Sequence, residues 1–405
     1  MLEVFELQCF IQNYLWGKKG SASEVSRLSL AGQHIDIIDE KQFYAELWMG
    51  ALHKSPSLVK KSGQKLSNWI KNNNEVLGEK SRLQFGDQLP FLMKVLSINS
   101  ALSIQVHPSK DYAEELHKQY PELYQDSNHK PEMAIALSNF EGLCGFRPYT
   151  EIKFFLEEIP EFQTIVGYDL IDQFKKDTTN SQYLLKDIFY KLLTSEKGII
   201  SQSLNSHKKK LQSLCDDKKN VFLAKLFNQL DCWFPNDVGC FCIYFLNYIQ
   251  LSPGQAIYLG ANEPHAYIYG DCVECMACSD NVVRAGLTPK YIDVKTLCRL
   301  LNFNGAPAES KLFCGVQENS YTTLFRPPVP DFAVACIKVP VDEIYELLKR
   351  DVASIIIIIH GQGKINAPQE LILSPGKVFM IPANVIIQIQ VGSEPLELYQ
   401  AFVNL

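Results

Sequence analysis

One eleven-residue pattern occurs twice in this chain. SPGQAIYLGAN spans 252–262 and SPGKVFMIPAN spans 374–384. Each copy reads as a proline–glycine turn, a short apolar strand and a closing loop. A repeated turn–strand–loop restricts the fold, because it calls for two β units built on one plan. Short strand-like runs broken by glycine and proline surround both copies, for example CFCIYFLNYIQL before the first and ASIIIIIHGQGKI before the second. That texture points to sandwich or jelly-roll units. Between them lies a different pattern. EIKFFLEEI, QYLLKDIFYKLL and NVFLAKLFNQLDCWF repeat apolar residues every three or four positions, as amphipathic helices do. Leu184, Leu185, Ile188, Phe189 and Leu192 make one such stripe, read as core. The chain is therefore expected to be mainly β with an α insertion. It divides into a first β unit of residues 1–150 and 239–325, a helical insertion of 151–238 and a C-terminal β unit of 326–405.

Within the first unit, residues 101–148 concentrate the groups that bind metals. Gln105 and His107 are two apart in a strand-like run, so their side chains share a face. Glu132 opens the apolar run MAIAL, a second strand able to return a carboxylate to the same point. The fourth donor is expected to be His265, which follows Pro264 and begins the strand-like AYIYG. The second copy of the repeat carries no histidine at the matching place, so only the first unit is expected to hold a metal. His117, on the helical DYAEELHKQY, and His129 are each read as solvated or hydrogen-bonded residues, with a place behind the ligands as the alternative for His129. His360 is read as structural. PFLMKVLSI and ALSIQVH, separated by Asn99 and Ser100, read as a hairpin.

Composition removes several classes. The net charge is -6, and the short run Lys208–Lys210 is no polyanion footprint. The longest aliphatic run, Ile355–Ile359, is too short to span a bilayer. The start, MLEVFELQCF, has acidic residues where a secretory leader is basic. Twelve irregularly spaced cysteines fit reduced thiols of a cytoplasmic protein better than a disulfide framework. Cys272, Cys275 and Cys278 have a metal-like spacing, but DCVECMACSD alternates as a strand does, and they are read as buried thiols.

The segments IQVHP, YQDSNHKPEMAIAL and EPHAYIYGDCVECMACSDNVVRAGLTPKYIDV resemble the type I mannose-6-phosphate isomerases (phosphomannose isomerases) of the cupin superfamily. QNYLWGKKGSASEVSRL, YAELWMGALHKSPS and PGKVFMIPAN extend the resemblance over nearly the whole chain. It implies two cupin-like jelly-roll domains and one zinc ion per chain, held by Gln105, His107, Glu132 and His265. It also places Arg284, Glu274 and Lys130 among the catalytic groups, with Lys94, Ser103 and Lys290 contacting substrate. The implied reaction interconverts mannose 6-phosphate and fructose 6-phosphate through an enediol, and so feeds GDP-mannose synthesis. The partner expected is a small sugar phosphate, without nucleic acid or membrane, acting on a monomer.

Two other classes were weighed on the same residues. A cupin oxygenase would hold iron and leave positions for oxygen, whereas the lysine and arginine set here suits an anionic sugar. A sugar-phosphate sensor would need no proton-transfer groups.

Overall fold

The computed structural model describes residues 3–177, 179–366 and 370–405; Met1, Leu2, Thr178 and Ala367–Gln369 lie outside them. Two large sheets dominate, one of eleven strands and one of nine. The strand His265–Ala277, here the spine strand, organises the first. Its early part pairs with Phe140–Phe146 and, at His265, with Gln105 of Ile104–Val106. Its later part pairs with Phe91–Ile98 on one side and Glu132–Ala136 on the other. The change of partners falls at Gly270, whose φ is +113° and whose missing Cβ would meet the Asn139 carbonyl oxygen at 2.5 Å. Only glycine turns this corner without strain.

The predicted hairpin of residues 91–107 is not formed. Phe91–Ile98 pairs with Glu46–Gly50 and with the spine strand, while Ile104–Val106 pairs with Val283–Gly286 and with His265. Both runs use the spine strand as partner at its two ends, which a local turn signal cannot reveal.

The repeat is realised in backbone geometry. Gly254 and Gly376 have φ of 87° and 80°, and Asn262 and Asn384 have φ of 66° and 65°. Their strands, Ala256–Leu259 and Val378–Ile381, lie in different sheets. Three residues beyond Asn262 stands His265; three beyond Asn384 stands Ile387, buried at the start of Ile387–Val391. The second copy thus spends that position on core. Its nine-stranded sheet also takes Phe5–Gln8, which pairs with Val378–Ile381, and Leu58–Val59 behind it.

The inserted region is helical from Tyr149–Glu158 through Gly239–Cys242. In the helix Ser181–Thr194 the residues Leu185, Ile188, Phe189 and Leu192 are fully buried, and Leu184 packs partly against them. Each such side chain contributes roughly 1.5–3 kcal/mol relative to exposure. None of the helices is long and apolar enough to cross a membrane, among the described residues.

The large sheet has one face for packing and one for chemistry. Leu47, Met49, Met93, Val95, Met133, Ile135, Val273 and Cys275 enter the core shared with the C-terminal unit. The alternate positions Glu46, Trp48, Lys94, Glu132 and Glu274 project the other way, as strand periodicity requires.

Candidate metal and active site

Two registered rows of residues build the site. In the first, His265 lies opposite Gln105, and Gln105 lies opposite Arg284. Directly opposed residues project from the same face, so three strands bring a histidine, an amide and a guanidinium side by side. His107, two residues beyond Gln105, joins that face. In the second row Ala134 is opposite Glu274, Glu274 opposite Lys94 and Lys94 opposite Trp48. Glu132 precedes Ala134 by two and shares its face.

His107, Glu132 and His265 converge: one ligand atom from each lies within 4.8 Å of the others, and all three are buried. The Glu132 Oε2 oxygen is 3.4 Å from His107 Nε2 and 3.3 Å from His265 Nε2. The far nitrogen of each ring is already committed. His107 Nδ1 donates to the Asn281 carbonyl at 2.6 Å, and His265 Nδ1 to the Glu263 carbonyl at 2.9 Å. These bonds fix the tautomers and leave both Nε2 lone pairs turned towards the carboxylate. His107 Nε2 and Glu132 Oε2 are buried without a hydrogen-bond partner among the described residues. Lone pairs facing one another in a buried site are destabilising unless a cation lies between them. The Gln105 amide approaches the same place, 3.5 Å from His265 Nε2. Its oxygen and nitrogen are interchangeable by a flip, so it can present a fourth, neutral oxygen donor. Two neutral imidazoles, one carboxylate and one amide fit a divalent ion such as zinc.

Burial pushes the His107 imidazole down to about 4, which keeps it neutral and free to ligate. Burial alone would raise the Glu132 carboxyl, but Lys130 and His107 outweigh it and hold it well below the usual range. Lys130 Nζ is 2.8 Å from the outer oxygen, Glu132 Oε1.

Beside this centre lies a buried ion cluster. Lys94 Nζ is 2.9 Å from Glu274 and 3.6 Å from Glu46, and all three side chains are less than a tenth exposed. The Trp48 indole N–H donates to Glu46, and Lys94 sits 5.4 Å above that ring. Burial would lower the ammonium, yet Glu274 and Glu46 hold it above its usual range. Burial pushes the Glu274 carboxyl up, against the pull of Lys94. The Tyr267 hydroxyl is buried without a partner; burial first, then Glu274 and Glu132, raise its pKa.

Arg284 lines a cleft of about 950 Å³, together with Lys54, Ser67, Asp126, Asp280 and Asn281 among others. Burial lowers the pKa of its guanidinium below the usual value, and it makes no ion pair among the described residues. Ser103 is half-buried just before the Gln105 strand, and Lys290 is exposed on the loop after Arg284, outside the cleft lining.

The other histidines have separate duties. His129 is committed to the C-terminal unit, its Nε2 3.1 Å from Asp331. His117 bonds the Tyr124 carbonyl at 2.8 Å. Cys272, Cys275 and Cys278 form no metal cluster among the described residues, and all twelve cysteines are free. Sequence reasoning missed Glu46, Trp48, Tyr267 and Asn281. Only Glu46 and Trp48 carried a signal, alternating within YAELWMG.

Comparison with known proteins agrees with this geometry. The catalytic-domain model of type I phosphomannose isomerase matches residues 4–149, and the helical-insertion model of the same family matches 163–246. Mannose-6-phosphate isomerase of Rattus norvegicus is 46% identical over 397 residues, 94% of each chain. The Homo sapiens protein of that name is 44% identical over 411 residues, 98% of this chain and 97% of its own. The crystal structure of apo mannose 6-phosphate isomerase from Salmonella typhimurium superposes with a TM-score of 0.85 at 29% identity, covering 100% of both chains. A zinc-bound mannose 6-phosphate isomerase gives the same TM-score, 0.85, and identity, 29%, over 100% of both chains. Matched along its length in sequence and in fold, the chain belongs to the type I phosphomannose isomerase family.

Proposed function

We propose that the chain is a zinc-dependent aldose–ketose isomerase that interconverts mannose 6-phosphate and fructose 6-phosphate by proton transfer between C2 and C1. The observation that carries this reading is the pair of buried ligand atoms, His107 Nε2 and Glu132 Oε2, left without a hydrogen-bond partner among the described residues, beside the row of His265, Gln105 and Arg284. His107, Glu132, His265 and Gln105 would hold one zinc ion. Bound there, it supplies Lewis-acid polarisation of a sugar carbonyl, and a ligand set with a single negative charge preserves that electrophilic character.

The chain's own groups divide the remaining work. Glu274 is assigned as the carboxylate that moves the proton, because burial raises its pKa above the usual carboxylate value against the pull of Lys94, and a raised carboxylate is a stronger base. Lys94 holds that carboxylate in place. Arg284, uncommitted in the cleft, stabilises negative charge developing on the sugar oxygens. Lys130 holds the outer oxygen of Glu132 and presents a second cation to the substrate. Ser103 and Lys290 are assigned to the phosphate, Lys290 as the weaker contact because an exposed ammonium is screened by salt. We further assign the chain to the cytoplasm, on its free cysteines, as a monomer whose product supplies GDP-mannose synthesis.

The test is isomerisation in D2O. Enediol chemistry predicts fructose 6-phosphate carrying deuterium at C1. Deuterium at C1 would exclude an internal hydride shift, and no product from zinc-loaded, folded protein would remove the isomerase reading.

A further inference from the structure

The ligands His107 and Glu132 come from strands that do not pair with each other, so something must set their separation. One residue touches both sides. Asn281 is 4% exposed. Its backbone carbonyl accepts the His107 Nδ1–H bond at 2.6 Å. Its side-chain amide donates to the carbonyls of Asp126 at 2.8 Å and Asn128 at 2.7 Å, in the loop that leads through Lys130 into Glu132. Neighbouring bonds fasten the same two segments. Ser279 Oγ donates to the Asn128 carbonyl at 3.0 Å, the Asn128 amide to the Cys278 carbonyl at 3.1 Å, and the Asp280 N–H to the Asp126 carboxylate at 2.8 Å. From outside, the C-terminal unit grips the loop as well, through Asp331 on His129.

We propose that Asn281 is the positioning residue of the metal centre: its carbonyl orients the His107 imidazole while its amide holds the loop that delivers Glu132. Both hydrogens of the Asn281 amide are committed to the Asp126 and Asn128 carbonyls, so the side chain acts on the ligands through geometry. Two amide hydrogens shared between two carbonyls have no substitute among other side chains of that size, since aspartate offers no donors and would face both carbonyls with negative charge. Groups of this kind behind a metal ligand usually govern affinity by ten- to a hundredfold. The inference rests on the zinc reading above.

The experiment measures zinc release to a chelator, zinc affinity and the melting temperature of the zinc-free protein, for wild type, Asn281→Ala and Ser279→Ala. Wild type binding one zinc per chain upholds the zinc reading; wild type without zinc defeats that reading and, with it, this one. Given zinc in the wild type, the expectation is zinc affinity about 10- to 100-fold weaker in Asn281→Ala, with kcat falling at a given zinc concentration and recovering at saturating zinc. A role in stability alone would lower the zinc-free melting temperature and leave zinc release from the folded protein unchanged, which overturns the proposal. Should Asn281→Ala fail to fold, Ser279→Ala decides: it removes the hydroxyl that donates to the Asn128 carbonyl and accepts from the Asn281 N–H at 3.2 Å, and at least threefold faster zinc release supports the clamp, whereas wild-type release refutes it.

Discussion

Replacing Lys94 by methionine tests the ion cluster beside the metal. The lysine is the cation that faces two buried carboxylates, 2.9 Å from Glu274 and 3.6 Å from Glu46. At an effective dielectric of ~20 those attractions amount to roughly 6 and 5 kcal/mol before desolvation. Much of that is offset by the burial of three charges. Removing one partner of a buried ion pair nevertheless costs about 3–5 kcal/mol, because the remaining charge stays buried and unpaired. Scaled to 405 residues that is a fall in melting temperature of about 4–6 °C. The deficit should depend on pH with a definite sign. Burial already raises the Glu274 carboxyl, and without Lys94 it rises further. A carboxyl whose folded pKa exceeds its unfolded value binds more protons in the folded state, so stability increases as pH falls through the folded pKa. Lys94→Met should therefore lie well below wild type at pH 8 and approach it at pH 5.5. Glu274→Gln added to Lys94→Met should recover part of the loss at pH 8. Thermal unfolding followed by circular dichroism, on zinc-free samples at both pH values, reads these differences. A variant as stable as wild type at pH 8, or a deficit that does not narrow on acidification, would refute the cluster as described.

Other outcomes follow from the same geometry. His265→Ala should lose bound zinc, because it removes one of three converging ligands; a full zinc complement by metal analysis would exclude His265 as a ligand. Arg284→Ala should keep zinc and fold while kcat falls roughly 10²- to 10³-fold, measured in a coupled assay; unchanged turnover would end its role. Gly270→Ala should destabilise by about 2–4 kcal/mol, because alanine resists positive φ and meets the Asn139 carbonyl; urea unfolding within 1 kcal/mol of wild type, on the order of ordinary surface changes, would contradict the corner. His34 and His207 are each held down to about 4, chiefly by burial. Stability linked to them is present above pH 6.5 and lost as pH falls from there to about 4. A zinc-free melting temperature that is flat across that window would be evidence against it.

The parts of this protein written in local pattern were readable from sequence. The turn–strand–loop repeat fixed its positive-φ positions at Gly254, Asn262, Gly376 and Asn384, because glycine and asparagine tolerate that backbone. The stripe from Leu185 to Leu192 folded as a helix for the same local reason. The convergence of His107, Glu132 and His265 on one point was legible because two strand starts and an i, i+2 pair leave few ways to orient them. What pairs at long range was not legible. Phe5–Gln8 joins a sheet with Val378–Ile381, and no turn signal links positions so far apart. The hairpin predicted at residues 91–107 failed because Ser100 and its neighbours connect two runs that each prefer the buried spine strand. His129 could be placed near the ligands but not aimed, since its partner Asp331 lies 202 residues away. Glu46 and Asn281 drew no notice because a glutamate in a strand and an asparagine in a loop are ordinary until their partners are known.

Isomerisation should require a metal held by His107, Glu132, His265 and Gln105. The direct measurement is a coupled assay of the purified protein with mannose 6-phosphate, before chelator, after chelator and after zinc is restored, with metal analysis at each stage. The account predicts fructose 6-phosphate at first, no product once the zinc is gone, and product again when one zinc per chain returns. Undiminished turnover by protein shown to be free of metal would contradict it.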